Sequence, residues 1–200
     1  MLRKNKAGQV TIFIILALIL VVSILLIFVL LKKPQVAVVS GENPNARMES
    51  CVNDYVREAI GVLSEQGGDI TPIGNSVMYK GRNITYLCYT SSYYLPCINQ
   101  RPMLTEYIEK QITDYITPKV NNCFGALKSE LEQKSYRVEM GEMKLTTSLQ
   151  TKQVVVNIDR DFSMDKNGEN KKSETFKVSF QSSVYDLAKI ANEIASQESK

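Results

Sequence analysis

The chain has 200 residues, with 24 bases, 21 acids and no histidine. The missing histidine removes the commonest general base and metal ligand, and a net charge of +3 gives no support to a nucleic-acid partner. Five of the 24 bases (Arg3, Lys4, Lys6, Lys32 and Lys33) belong to the N-terminal segment, which leaves 19 bases against 21 acids elsewhere.

Residues 1–11 form a basic head. Residues 12–31, IFIILALILVVSILLIFVLL, are one unbroken apolar run. At about 1.5 Å per residue such a run matches the ~30 Å hydrocarbon core of a bilayer. One N-terminal transmembrane helix is therefore expected, making the chain a single-pass protein of the cell membrane. Three bases precede the run and two follow it, with Arg47 a little further on, a near balance that leans to a cytoplasmic N-terminus. The cysteines, Cys51, Cys88, Cys97 and Cys123, are an even set beyond the run, as in a disulfide framework outside the cell. Asn83-Ile84-Thr85 is an acceptor pattern for glycosylation at Asn83. Together these favour an extracytoplasmic domain.

Residues 32–45 read as a linker, with Pro34, Gly41 and Pro44 and no amphipathic period. The domain is then 46–200. Met48, Val52, Tyr55, Val56, Ala59, Ile60 and Leu63 recur at three and four, predicting a helix over about 45–66 that Gly67-Gly68 ends. Short strands are expected at 76–79 and 84–89, with a turn at Gly81-Arg82-Asn83. A second helix begins near Pro102, with an apolar face of Leu104, Tyr107, Ile108, Ile112, Tyr115 and Ile116. Thr117-Pro118 is expected to break it and to start a third, which buries Val120, Cys123, Phe124, Leu127 and Leu131. Alternation over 145–149, 154–158 and 176–180 predicts a three-stranded antiparallel meander. A C-terminal helix over about 183–197 follows. The fold class is α+β: a transmembrane helix, then amphipathic helices, the meander and the last helix.

The head reads Lys4-Asn5-Lys6-Ala7-Gly8-Gln9-Val10-Thr11-Ile12-Phe13. A small residue and Gln directly before the apolar run reverse the order of a secretory signal, where the cleavage site follows the run. The segment resembles the class III (prepilin-type) signal of archaeal type IV pilins and related surface proteins. That resemblance, confined to roughly the first 31 residues, implies peptidase cleavage between Gly8 and Gln9 and an apolar helix that stays on the product. Phe13 stands where many such pilins carry Glu, and Pro34 ends the apolar segment early. A plain uncleaved signal anchor is the alternative.

Cys88 and Cys97 bracket a short Tyr-, Ser- and Pro-containing loop that a local disulfide would close, leaving Cys51 to pair with Cys123. Tyr86, Tyr89, Tyr93 and Tyr94 crowd this loop and make a candidate contact surface, because tyrosine offers large area at small entropy cost. Ser163-x-Asp165-x-Asn167-Gly168-x5-Glu174 follows most of a calcium-loop pattern but lacks its first Asp. A polar hairpin turn explains it better. Asp159, Arg160 and Asp161 read as a solvated strand end. There is no nucleophile elbow, phosphate loop or metal motif. The expected function is a membrane-anchored, pilin-like structural or interaction component of the cell surface, with no catalytic, metal or cofactor residues. Its expected partners are the membrane and other pilin-like subunits or a surface protein, and not nucleic acid. The alternative is a signal-anchored binding module that recognises a ligand or partner protein.

Overall fold

The computed structural model describes residues 16, 18–23 and 43–200. The chain divides into two compact units, Met1–Ser40 and Gly41–Lys200. In the first, residues 16 and 18–23 are helical and Leu16 and Leu18 are exposed. The expectation of a transmembrane helix is corrected here: among the described residues no helix is long and apolar enough to cross a membrane. Residues 12–15, 17 and 24–31 of the apolar run lie outside the described residues.

The second unit opens with α1, Pro44–Glu65. Asn43 caps it, its side chain accepting the Asn45 N–H at 3.0 Å, and Pro44 fills the first turn where an N–H has no partner to lose. Met48, Val52, Val56, Ala59 and Leu63 form its buried face. The helix ends at Gly67 (φ +74°) and Gly68 (φ +96°), and Gly68 N–H donates to Leu63 O at 2.9 Å. A Cβ on Gly67 would lie 2.6 Å from Thr85 O, so both the turn and the close approach require glycine.

A layer of short strands follows: β1 (Ser76–Tyr79) pairs with β2 (Arg82–Thr85), and β3 (Cys88–Tyr89) with β4 (Ile98–Asn99). The first turn is the two residues Lys80 (φ 48°) and Gly81 (φ 78°), shorter than the Gly81-Arg82-Asn83 turn expected.

The main helix, α2, runs unbroken from Leu104 to Gln133, so the expected break at Pro118 is corrected. The stripe Ile108, Ile112, Ile116, Val120, Phe124, Leu127 and Leu131 is buried on both sides of the proline. Pro118 forfeits one backbone hydrogen bond, but a two-part stripe would lose the whole seam.

The three-stranded meander is also corrected. The sheet has four strands: β5 (Arg137–Met140), β6 (Lys144–Gln150), β7 (Gln153–Lys166) and β8 (Glu169–Gln181). The long β7 pairs with β8 on one side. On the other it pairs with β6 along its first half and β5 along its second. Thr151-Lys152 and Asn167-Gly168 close the two tight turns, and the candidate calcium loop is the second hairpin. Short β5 (Arg-Val-Glu-Met) has too few alternations to announce itself. One face of the sheet buries Leu145, Leu149, Val154, Val156, Ile158, Phe162, Phe176 and Val178, while the other is largely polar and exposed. Phe124 of α2 meets Phe176 edge-on at 5.1 Å and Phe162 at 6.1 Å. Helix α3, Val184–Glu198, closes the fold.

Two disulfides pin these elements. Cys51–Cys123 joins α1 to α2 across a separation of 72 residues, and Cys88–Cys97 closes the small ribbon across 9. If loop closure dominates, replacing Cys51 and Cys123 together by Ala lowers the unfolding free energy by about 4 kcal/mol. The Cys88/Cys97 pair costs about 2–3 kcal/mol on the same scale. Denaturant unfolding followed by circular dichroism measures both, and equal losses would show that loop length does not govern them.

Candidate functional site

Gly8 and Gln9 lie outside the described residues. Asn83 is exposed on β2, but Thr85, the third residue of its acceptor pattern, is buried. The four tyrosines separate into two pairs. Tyr86 and Tyr89 pack together at 5.7 Å between ring centroids and are partly covered. Tyr93 and Tyr94 project from the closed loop, fully exposed and 84% exposed, beside Leu95 at 54%. The second pair offers the larger free aromatic area, with Tyr86 38% exposed.

The loop rests on a rigid foundation. Both cysteine sulfurs contact the end of α3, Cys88 Sγ at 3.5 Å from Ala195 O and Cys97 Sγ at 3.4 Å from Glu198 O. Asn99 Nδ2 donates to Asn192 Oδ1 and Ser196 Oγ, each at 3.5 Å. Beneath the strand layer lies a buried polar cluster that sequence reasoning missed. Asp69, 1% exposed, accepts the Thr85 hydroxyl at 2.5 Å and Arg101 Nη2 at 3.5 Å. The guanidinium stacks on the Tyr107 ring at 4.6 Å. Burial first, and Asp69 next, push the Tyr107 phenol above its ordinary value. Asp69 Oδ1 and Arg101 Nε are buried without a hydrogen-bond partner. The cluster ties the 69–75 loop, β2 and the start of α2 into one block. No local sequence signal announces it, because its members stand up to 38 positions apart, from Asp69 to Tyr107.

A second polar group bridges the two long helices. Lys119 Nζ donates to Glu58 Oε2 and to the Tyr115 hydroxyl, both at 2.8 Å, and Tyr115 donates to Glu58 Oε1 at 2.6 Å. Hydrogen bonds from Lys119 and then Tyr115 hold the Glu58 carboxyl below the usual carboxylate range. Desolvation pulls Lys119 downward, but its bonds to Glu58 and Tyr115 outweigh that and raise it. Both groups stay charged at neutral pH, the opposite of a poised general base.

The third grouping surrounds Arg160, which the sequence placed at a plain strand end. Arg160 and Asp161 of β7 stand opposite the single residue Glu174 of β8, as the register shift requires. This is a bulge, and bulges re-aim side chains. Arg160 Nε donates to Gly141 O at 3.0 Å and Nη1 to Asn121 Oδ1 at 2.9 Å, with the guanidinium over Phe124 at 4.8 Å. Burial lowers its pKa. It forms one wall of an open cleft of about 800 Å³, with Thr117, Pro118, Asn121, Met140, Gly141, Glu142 and Met143. Among the described residues no group of three or more Cys, Asp or Glu is placed to hold a metal.

Comparison with known proteins finds no matching family model, no matching curated protein and no matching solved structure.

Two expectations follow. Asp69→Ala leaves Arg101 without its acid and Thr85 without its acceptor, a loss of about 3 kcal/mol in denaturant unfolding; a loss under 1 kcal/mol would show the cluster to be incidental. Glu58, its carboxyl depressed in the fold, contributes stability above its ordinary pKa and loses it as pH falls through the folded value. A carboxyl-resolved NMR titration should place its midpoint below the usual carboxylate range, and Lys119→Ala should raise it.

Proposed function

We propose that the chain is a membrane-associated, extracytoplasmic component of the cell surface that acts by contact. In this reading it is a pilin-like structural or interaction protein whose partners are the membrane and other surface proteins. The observation that carries the reading is a disulfide-closed, uncharged loop presenting Tyr93, Tyr94 and Leu95 to solvent. Two disulfides suit an oxidising compartment, and exposed tyrosines in a braced loop suit recognition. No catalytic role is proposed. The signal-anchored binding module is the second reading. Phe13 favours it, because Glu is missing where many pilins use it to register neighbours.

The mature N-terminus separates the two. Mass spectrometry of protein from cells should find Gln9 first if a prepilin peptidase acts, and Gly8→Arg should abolish the cut while leaving membrane insertion intact. A mature chain beginning at residue 1 or 2, unchanged by Gly8→Arg, leaves the binding module. Protease added to intact cells should remove the domain in either case, and a protected domain would overturn the extracytoplasmic placement.

A further inference from the structure

The Arg160 cleft brings a cation and an anion to one opening, and among the described residues neither has an ion-pair partner. A guanidinium carries its N–H donors in a planar fork. Arg160 directs Nε to Gly141 O at 3.0 Å and Nη1 to Asn121 Oδ1 at 2.9 Å. Both acceptors are neutral, so the side chain is held in place without being neutralised. Nη2 has no protein acceptor among the described residues. The guanidinium face lies on Phe124 at 4.8 Å, and burial lowers its pKa. A cation partly removed from water is ordinarily matched by an anion, and the free edge of a fixed guanidinium suits a carboxylate.

Glu142 lines the same cleft and is exposed. It follows directly on Gly141, whose carbonyl holds Arg160, so its carboxylate lies within roughly 10 Å of the guanidinium. The two are near enough to serve one small molecule and are not in contact with each other. Asp161, next along β7, pairs instead with Lys172 at 3.5 Å. A simple anion on Arg160 would meet repulsion from Glu142, and a simple cation on Glu142 would meet it from Arg160. A zwitterion satisfies both. The ammonium and carboxylate of an α-amino acid are about 3 Å apart, and with a hydrogen bond at each end they span about 6–9 Å. The rest of the cleft is mainly apolar. Half-buried Met140 and Met143 stand there with Pro118, and thioethers make favourable contacts with aromatic rings. Its volume of about 800 Å³ lies within the roughly 300–1,000 Å³ range of small-molecule sites. Gly141 N–H donates to Asp161 O at 2.8 Å, which fixes the junction that carries Glu142.

We infer that the Arg160 cleft binds a free α-amino acid with an aromatic side chain, its carboxylate on the Arg160 guanidinium, its ammonium on Glu142 and its ring against Met140 and Met143. The inference goes beyond the contact reading and needs neither the 88–97 loop nor an anchor, so either can fail without the other. A zwitterionic lipid headgroup such as phosphoethanolamine shares the paired charges but has no ring for the thioether wall.

The test uses the full chain in detergent micelles, with carbon-13 in the methionine methyl groups. L-Phenylalanine, added to about 20 mM to cover millimolar affinity, should shift the Met140 and Met143 methyls saturably. Met48, in the core, and Met78 and Met103, exposed in the strand layer, should stay still. N-Acetylphenylalanine lacks the ammonium and phenylalaninamide lacks the carboxylate, and each should bind about tenfold more weakly, as loss of one charged hydrogen bond implies. Glu142→Gln, a change at an exposed position, should weaken phenylalanine by the same factor and leave N-acetylphenylalanine unchanged. Arg160→Gln should abolish binding of both, with an unmoved Met48 methyl reporting that the core is intact; where that variant fails to fold, the analogues and Glu142→Gln decide. The inference is overturned if phenylalanine gives no saturable shift, or if N-acetylphenylalanine binds as tightly. Shifts at Met78 and Met103 as large as those at Met140 and Met143 would show general adsorption of the ring and overturn it too. O-Phosphoethanolamine binding as tightly as phenylalanine would overturn it in favour of a headgroup site.

Discussion

Burial of one continuous stripe along α2 is the constraint on which the rest of the domain depends. From Ile108 to Leu131 its apolar residues recur at three and four, and they contact α1 on one side and the sheet on the other. Each fully buried Leu, Ile or Phe contributes roughly 1.5–3 kcal/mol. A stripe of this length therefore outweighs the ~3 kcal/mol charged by a proline in mid-helix. Thr117 joins in at the weak turn, its hydroxyl donating to Thr113 O at 2.6 Å. The helix also takes over work that a further strand would do. Glu109 Oε1 accepts the Leu149 N–H at 2.8 Å and Thr113 Oγ1 accepts the Thr147 N–H at 3.2 Å. Two N–H groups of edge strand β6 are thus satisfied by side chains of α2 and not left open to another chain.

The same helix orients the strand layer. Gln111 Oε1 accepts the Ile70 N–H at 3.1 Å, and Tyr107 lies beneath the Arg101 guanidinium. With Asp69 and Thr85, these groups hold a segment too short of apolar residues to have a core of its own. Two-stranded ribbons of four and two residues are marginal in isolation. Here they are stable because a buried charge pair, a disulfide and the end of α3 each fix one side. Such a layer can afford exposed tyrosines, since its position does not depend on burying them.

Helices were legible in the sequence where the apolar period was long, and the antiparallel hairpins where a turn pair such as Asn167-Gly168 separated alternating runs. The cysteine arithmetic left three pairings open, and local closure at Cys88–Cys97 selects the one the structure contains. What was not legible depended on distance along the chain. Pro118 is a helix breaker by its own chemistry, and only the surrounding burial shows that it does not break this one. Strand β5 has four residues and exists because β7 offers it a partner. Asp69 and Arg101 look like ordinary surface charges in sequence, 32 positions apart, and only the fold brings them together.

Arg160 shows how a strand irregularity becomes a surface. Strands β5 and β6 meet the same edge of β7 end to end, and residues 141–143 bridge them. Two perfectly paired strands would leave no opening there. The bulge at Arg160 and Asp161 supplies the extra residue, and Gly141 N–H donates to Asp161 O at 2.8 Å to close the backbone account. A Cβ on Gly141 would lie 3.2 Å from the Asp161 Cβ, so a bulkier residue would press on the junction. With the junction held, the guanidinium is drawn inward against Phe124, and Met140 and Met143 flank the gap. The opposite edge of the sheet, β8, carries Lys171, Lys172 and Lys177, charges that oppose pairing with another strand. Strand addition is thus disfavoured at β8, and at β6 the Thr147 and Leu149 N–H groups are taken by side chains of α2.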